Sequence, residues 1–293
     1  MSTTMAEVNR LLRKTAGLIN NDNPSPFQGQ FRVGVDLGTA DIQTIVVDAA
    51  GKPLAGYMEW ANVVRDGIVV DFFGASQIVR EQVRRASEKL GIRIEQVTTS
   101  FPPGTDSRIS TNVIEAAGLE VAGVIDEPSS VAKLLQLQHA AVVDIGGGTT
   151  GTAIIENGEV VRSMDDATGG RHISLVIAGH FGLPYEEAEE MKRASRDQAL
   201  CGLVAPVIAK MADIVRSHIA GHKVPAIYLT GGSCALPGFL DVFAAEFPGI
   251  DVILPEHPLY LTPLAIATYS EAVQAPVHQQ RQTQRQAQRQ KVG

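Results

Sequence analysis

Apolar and polar positions follow one another in the same unusual order at two places in the chain. Residues 33–47 read Val33-Gly-Val-Asp36-Leu-Gly38-Thr39-Ala-Asp-Ile-Gln-Thr-Ile-Val-Val47, and residues 141–155 read Ala141-Val-Val-Asp144-Ile-Gly146-Gly147-Gly148-Thr149-Thr150-Gly-Thr-Ala-Ile-Ile155. Each predicts an apolar strand ending in Asp, a glycine-rich turn carrying Thr, and a returning apolar strand. Elsewhere strands are expected at 54–60, 67–70, 97–101, 121–125, 226–230 and 252–254. Helices are expected from Ser76 to about residue 90, from Thr105 or Asp106 to Gly118, and over 129–138 behind Pro128. Another spans 184–193, where acids open and bases close the segment. Val204, Val207, Ile208, Met211, Ile214, Val215 and Ile219 repeat at helical spacing, and further helices are expected over 239–247 and from Thr262-Pro263 to about residue 273. Asn157-Gly158 between apolar runs reads as a two-residue hairpin turn.

The two ends differ from this body. Residues 1–30 hold one short amphipathic stretch, 8–14, then the structure-breaking run Asn-Asp-Asn-Pro-Ser-Pro; a partly ordered arm and a docking helix both fit. From Pro276 the tail is rich in Gln and Arg and has nothing to bury, so it is expected to be disordered in isolation.

With 293 residues, 44% of them hydrophobic, the chain can bury a large core in one big domain or two lobes. A formal net charge of −7 argues against nucleic acid or an anionic membrane surface as partner. Cys201 and Cys234 stand far apart in no redox or metal spacing, and no secretory signal or membrane-length apolar run is seen; a cytoplasmic protein with reduced thiols is expected. The 7 histidines are scattered, which excludes a zinc-type cluster by spacing.

A glycine-rich turn after a strand lines up backbone N–H groups and hydroxyls around an anion, and the Asp before it can hold a divalent cation directly or through water. Two such turns facing one another would grip a nucleoside triphosphate and Mg²⁺ from both sides. Five blocks in order resemble the actin-like ATPase superfamily shared by actin, sugar kinases and DnaK-type chaperones, over about residues 31–275. Asp36-Leu-Gly-Thr39 and Asp144-Ile-Gly-Gly-Gly-Thr149 resemble its two phosphate loops, Leu229-Thr-Gly231-Gly232-Ser233 its adenosine loop. Glu127-Pro128-Ser-Ser-Val-Ala132 and Pro263-Leu-Ala-Ile-Ala267 resemble its two connecting helices. Asp-x-Gly-Thr alone also occurs in aspartic proteases; the five together carry the resemblance. It implies an α/β, two-lobed, duplicated ribonuclease-H-like fold with a nucleotide cleft between the lobes. The implied organisation is an N-terminal arm at 1–30, a first lobe from 31–140 plus 258–275, a second lobe from 141–257, and a tail at 276–293.

The resemblance also implies roles. Asp36 and Asp144 would hold hydrated Mg²⁺. Gly38, Thr39 and Ala40, with Gly146, Gly147, Gly148 and Thr149, would line the β- and γ-phosphates of ATP. Glu127, capping a helix that points into the cleft, would orient or deprotonate the attacking water. Glu189 and Lys192 would reach the ribose and adenine, and Gly231, Gly232 and Ser233 would let adenine approach the backbone. Plainer readings stand beside these: Asp36 as a buried turn acid, Glu127 as a helix cap only, Glu189 and Lys192 as a solvated i,i+3 pair. His172 and His218 read as surface or core histidines rather than catalysts.

Val97-Thr-Thr-Ser-Phe-Pro102 and Ala117-Gly-Leu-Glu-Val121 resemble the DnaK-type pattern. Asp66-Gly-Ile-Val-Val-Asp71, Ser100-Phe-Pro-Pro103, Ile125-Asp-Glu-Pro128 and Gly169-Gly-Arg-His-Ile173 resemble the ethanolamine-utilisation branch from bacterial microcompartment operons, described as chaperonin-like. The chain departs from the DnaK type in three ways. The catalytic Lys after the first hairpin has no equivalent, since Lys52 falls in a turn; this implies slow turnover, a weak ATPase at most. Arg171-His172 replaces acidic residues. Only about twenty residues follow the second connecting helix, so no peptide-binding domain is expected. The implied function is an ATP-binding, slowly hydrolysing chaperone or assembly helper for a protein client, in the cytoplasm or with a microcompartment. Its clients would be ethanolamine-utilisation enzymes, such as the cobalamin-dependent ammonia-lyase, or microcompartment shell proteins. A nucleotide-dependent scaffold like the cell-division and pilus members is the alternative; a small-molecule kinase, third, lacks a visible Asp base and substrate domain.

Overall fold

The structure, a computed structural model, describes residues 4–65, 68–271 and 273–274. Asp66-Gly67 and the Gln- and Arg-rich tail from Pro276 lie outside the described residues. The N-terminal stretch forms a longer helix than its short amphipathic pattern implied, α1 (Met5–Leu18). A capping box extends it upstream: Thr4 Oγ1 accepts from the N–H of Glu7, and the Glu7 carboxylate accepts from the N–H of Thr4. Val8, Leu12 and Thr15 recur on one face of α1 and are buried, so this is packed structure and not a partly ordered arm.

The first signature opens an antiparallel meander of β1 (Gln30–Leu37), β2 (Asp41–Asp48) and β3 (Pro53–Trp60). β4 (Val64–Arg65) and β5 (Ile68–Val69) pair with each other beside it. α2 (Phe72–Leu90) starts at Asp71, whose carboxylate accepts from the Gly74 N–H. Ser76, the expected cap, instead donates to the Phe73 carbonyl inside the first turn. β6 (Gln96–Phe101), α3 (Arg108–Ala116) and β7 (Glu120–Asp126) follow. Of the two expected caps of α3, Asp106 serves, its carboxylate accepting from the Arg108 N–H at 3.0 Å, whereas Thr105 donates to the Pro102 carbonyl.

α4 (Glu127–Leu135) is capped by Asp126, which accepts from the Ser129 N–H. Glu127 is therefore not the cap but the first helical residue, and its side chain is left for the cleft. The second signature builds β8 (His139–Ile145), β9 (Thr150–Glu156) and β10 (Glu159–Asp166). Asn157 at φ 55° and Gly158 at φ 82° turn β9 into β10 with the double left-handed geometry that matches strand twist. α5 (Gly170–Phe181), α6 (Tyr185–Ala194), α7 (Ala199–His218), β11 (Ala226–Thr230), α8 (Phe239–Ala245) and β12 (Asp251–Ile253) complete this half. α9 (Leu261–Tyr269) ends short of residue 273, and β13 (Val273–Gln274) runs antiparallel to the start of β1.

One sheet has the order β3-β2-β1-β6-β7 with β13 against β1, and the other β10-β9-β8-β11-β12. In both, the meander is antiparallel and two parallel strands continue from its first strand. Two sheets of the same order and direction are the structural form of the repeated sequence, and the fold is the two-lobed actin-like one. Asp36 pairs opposite Gln43 in the first sheet, and Asp144 opposite Gly151 in the second. Each sheet has an apolar core of its own. A further cluster joins them: Ile45 and Val47 of β2, Val142 of β8, Val131 and Leu135 of α4, and Leu261 and Leu264 of α9 pack with Val8 and Leu12 of α1.

Leu12 is fully buried in that joining cluster. Leu12→Ala should lower the unfolding free energy by about 2–4 kcal/mol in denaturant titration, the range for emptying a core leucine site. A change below about 0.5 kcal/mol would mean that α1 does not pack there in solution.

Candidate functional site

The turns after β1 and β8 meet across the junction of the lobes. A Cβ on Gly147 would stand 2.8 Å from the Ala40 Cβ, and one on Gly148 2.8 Å from Thr39 Oγ1. Only glycine lets the second turn approach the first this closely. The N–H groups of Gly38, Thr39, Gly147 and Gly148 donate to no partner among the described residues, which leaves two unengaged amide arrays facing one space. That space is a cleft between the lobes, continuous with solvent at its mouth. The structure brings every expected site residue to it: Asp36, Glu127 and Asp144; Gly38, Thr39 and Ala40; Gly146, Gly147, Gly148 and Thr149; Glu189 and Lys192; and Gly231, Gly232 and Ser233.

Acids dominate the base of the cleft. Asp36 accepts a hydrogen bond from Ser100 Oγ at 2.9 Å, and Asp144 accepts one from Thr262 Oγ1 at 2.5 Å. Thr262 is anchored in turn by Thr230. Burial pushes the Asp36 carboxyl well above its ordinary range, and the Asp144 charge pushes it further. Asp144 is raised by burial and partly held down by Thr262. Glu127 is raised by burial and then by the charges of Asp36, Asp144 and Asp165. Asp165, at the end of β10, is pushed up to about 7 by burial, and its Oδ1 has no hydrogen-bond partner. Asp41 is likewise raised by burial, to about 6.

Such crowding of carboxyls is strongly unfavourable unless they are protonated or a cation joins them. Among the described residues, Lys192 and Arg193 are the only Lys or Arg lining the cleft, and both are held by Glu189. Among the described residues, no three acids come close enough to ligate one ion directly. The arrangement therefore fits a hydrated Mg²⁺, which Asp36 and Asp144 would hold through its waters.

At the other end of the cleft Glu189 is buried and saturated. Its Oε2 accepts from Ser174 Oγ and Lys192 Nζ, and its Oε1 from Arg193 Nε. The pair is thus not a solvated surface couple. Lys192 Nζ also donates to the Gly170 carbonyl, and Ser233 Oγ to the Gly146 carbonyl, tying α6 and the loop after β11 to the second glycine turn. Arg193 lies 4.0 Å over the ring of Trp60, bridging the mouth of the cleft between the lobes. The Arg171 N–H donates to the Gly147 carbonyl while its guanidinium covers the Tyr185 ring, and His172 Nδ1 accepts from the Gly169 N–H. His218 is a core histidine between Thr152 and Asp166.

Several residues escaped the sequence reading. Asp41 and Gln43 sat inside the first signature but read as strand positions. Asp165 lay in an unremarkable acidic pair. Thr262 read as a helix cap, but its hydroxyl is given to Asp144, and Trp60 and Arg193 had no spacing that linked them.

Comparisons with known proteins agree with this geometry. A family model for the type IV pilus assembly protein PilM matches residues 128–256, and one for MreB/Mbl matches residues 51–188. The ethanolamine utilization protein EutJ of Escherichia coli K12 is 51% identical over 255 residues, covering 87% of this chain and 91% of that protein. The crystal structure of EutJ from Carboxydothermus hydrogenoformans superposes with a TM-score of 0.86 at 43% identity, covering 91% of this chain and 100% of that one. MreB5 of Spiroplasma citri bound to AMPPNP shares the fold at a TM-score of 0.65 and 15% identity, over 90% of this chain and 100% of that one. No single helix among the described residues is long and apolar enough to cross a membrane.

The raised acids set a sign for stability against pH. Asp165 titrates near 3.8 when unfolded and about 7 when folded, so folding favours its protonated form. The stabilisation is complete below pH 4 and is lost as pH rises through 7. Asp165→Asn should therefore melt at least about 2 °C above the wild type at pH 8 without ligand, and at the same temperature near pH 4. A variant less stable at pH 8 would show that Asp165 is ionised and paired in the cleft.

Proposed function

The chain belongs to the EutJ family of ethanolamine utilisation proteins, within the actin-like ATPase superfamily, and from that membership we propose that it is a slow Mg-ATP-driven assembly helper. ATP would lie in the cleft with its phosphates between the turns at Gly38–Ala40 and Gly146–Thr149 and its adenosine toward Gly231, Gly232 and Lys192. Mg²⁺, when bound, neutralises charge developing on the β- and γ-phosphates. The observation that carries this reading is the pair of facing glycine turns with unengaged N–H groups above an uncompensated group of acids.

The chain's own residues have distinct tasks in it. The two turns donate N–H groups to phosphate oxygens. Asp36 and Asp144, oriented by Ser100 and Thr262, hold the waters of the ion. Glu127 projects from the first turn of α4, and its carboxylate has no hydrogen bond to another described residue, so it is available to orient and accept a proton from an attacking water. A cation beside it lowers its pKa and keeps it ionised for that task. Among the described residues, no Lys or Arg other than the Glu189-bound pair lines the cleft, which supports slow turnover.

Lobe closure around nucleotide would then be passed to a protein client, with ethanolamine-utilisation enzymes or microcompartment shell proteins as the clients this reading names. The same shortage of cations also favours a second reading, a nucleotide-bound scaffold that hydrolyses little.

Calorimetry should show Mg-ATP binding to the wild type and at least about a hundredfold weaker binding to Asp144→Ala at unchanged circular dichroism; undiminished affinity would refute the metal assignment. Glu127→Ala should bind ATP like the wild type and lose its hydrolysis. ATPase assays with candidate clients separate the two readings: stimulated turnover supports the helper, whereas a stable ATP-dependent complex or filaments without stimulation support the scaffold.

A further inference from the structure

A second concave feature of the molecule shares no lining residue with the nucleotide cleft. It is a groove formed where α1, the start of β1, the turn between β2 and β3, α4 and α9 come together. Arg10 and Lys14 enter it from α1, Arg32 from β1, Lys52 from the turn and Lys133 from α4. None of these five is ion-paired to a carboxylate among the described residues.

The groove's one lining acid, Glu7, is turned back to the N–H and hydroxyl of Thr4. Asp48, the nearest acid outside the lining, accepts from the N–H groups of Ala50 and Lys52. Arg32 donates through its terminal nitrogens to the carbonyls of Thr268 and Ala49, and its Nε is buried without a partner. Partial burial lowers the pKa of Lys14 and the neighbouring Lys52 charge lowers it further, with Asp48 offsetting only part of the shift. All this occurs in a chain whose acids outnumber its bases, 32 to 25.

We propose that this groove docks an acidic peptide segment of a partner protein, with apolar side chains between its carboxylates. The chemistry of the groove selects that class. Half-buried Leu11 and Leu134 lie between the cations and give apolar side chains a floor. A concave groove does not fit a flat bilayer, and five cations in one pocket on a chain of net charge −7 do not make the extended basic track a nucleic acid follows. Electrostatic complementarity of this kind sets partner choice and on-rate.

The groove is also connected to the nucleotide site by construction. Glu127 opens α4 in the cleft and Lys133 stands further along the same helix in the groove; Thr262 holds Asp144 from the start of α9, and Thr268 lines the groove from its other end. At about 1.5 Å per residue the two sites are roughly 9 Å apart along each helix. The docking surface rests on the proposed function for the identity of its partner, not for its ability to bind.

The test uses the full chain and a fluorescein-labelled peptide of repeated Glu-Glu-Leu, read by fluorescence anisotropy. Saturable binding is expected, weakening with salt. The double variant Arg10→Glu/Lys52→Glu should bind it at least about tenfold more weakly, with Mg-ATP affinity and melting temperature unchanged. Asp144→Ala, deprived of nucleotide, should bind the peptide as the wild type does, so a failed nucleotide assignment and a failed groove assignment give different results. Absence of saturable binding, an affinity indifferent to the charge reversal, or tighter binding of oligothymidylate or phosphatidylserine vesicles than of the peptide would overturn the proposal.

Discussion

Five carboxyl groups share the joint between the two lobes, and among the described residues the cleft gives them no cation free of Glu189. Asp36, Asp41, Glu127, Asp144 and Asp165 are all pushed above their ordinary pKa, each first by burial. A fold tolerates such a group only where something else is meant to share the space, because ionised acids in a poorly solvated cleft repel one another at short range. The rest of the architecture follows from holding that group in place. The glycine turns bring donors to its rim, hydroxyls from Ser100 and Thr262 orient two of its members, and the helices α4 and α9 run away from it in both directions.

Those two helices make the molecule more than a container. They belong to the cluster that joins the sheets, and α1 closes that cluster from outside. A change in charge at the cleft is therefore felt by packed apolar side chains that cannot deform gradually. The clasp of Arg193 over Trp60 works at the opposite edge, where Glu189 couples the guanidinium to Lys192. Lys192 inside the cleft and Arg193 across its mouth thus share one ion-paired cluster.

The duplication was legible because its marks are local. An apolar strand, an Asp and a run of small residues needs no distant partner to be recognised, and the two sheets of equal order appear where the two copies stand. The Asn157-Gly158 turn was legible for the same reason, since its positive φ values are a property of those two residues. Caps were less so. Asp106 takes the first N–H of α3 as expected, but Ser76 and Thr105 give their hydroxyls to nearby carbonyls and Asp71 caps α2, because a side chain caps only the turn its backbone reaches. For α1 the Thr4 and Glu7 pair that lengthens the helix was present in the sequence but lay outside the short amphipathic stretch.

By itself, the sequence determined the repeated strand–turn–strand units, the acids that end their first strands, and the glycines that make the turns small. Those are consequences of backbone geometry and short-range patterning. Only the tertiary structure decided that Thr262 serves Asp144 instead of its own helix, that Asp165 joins the acids, that Arg193 covers Trp60, and that Arg10, Lys14 and Lys52 face one groove. Each of these depends on residues far apart in the chain arriving at one place. The distances that set their charge interactions exist only once the two lobes and the helices between them have packed.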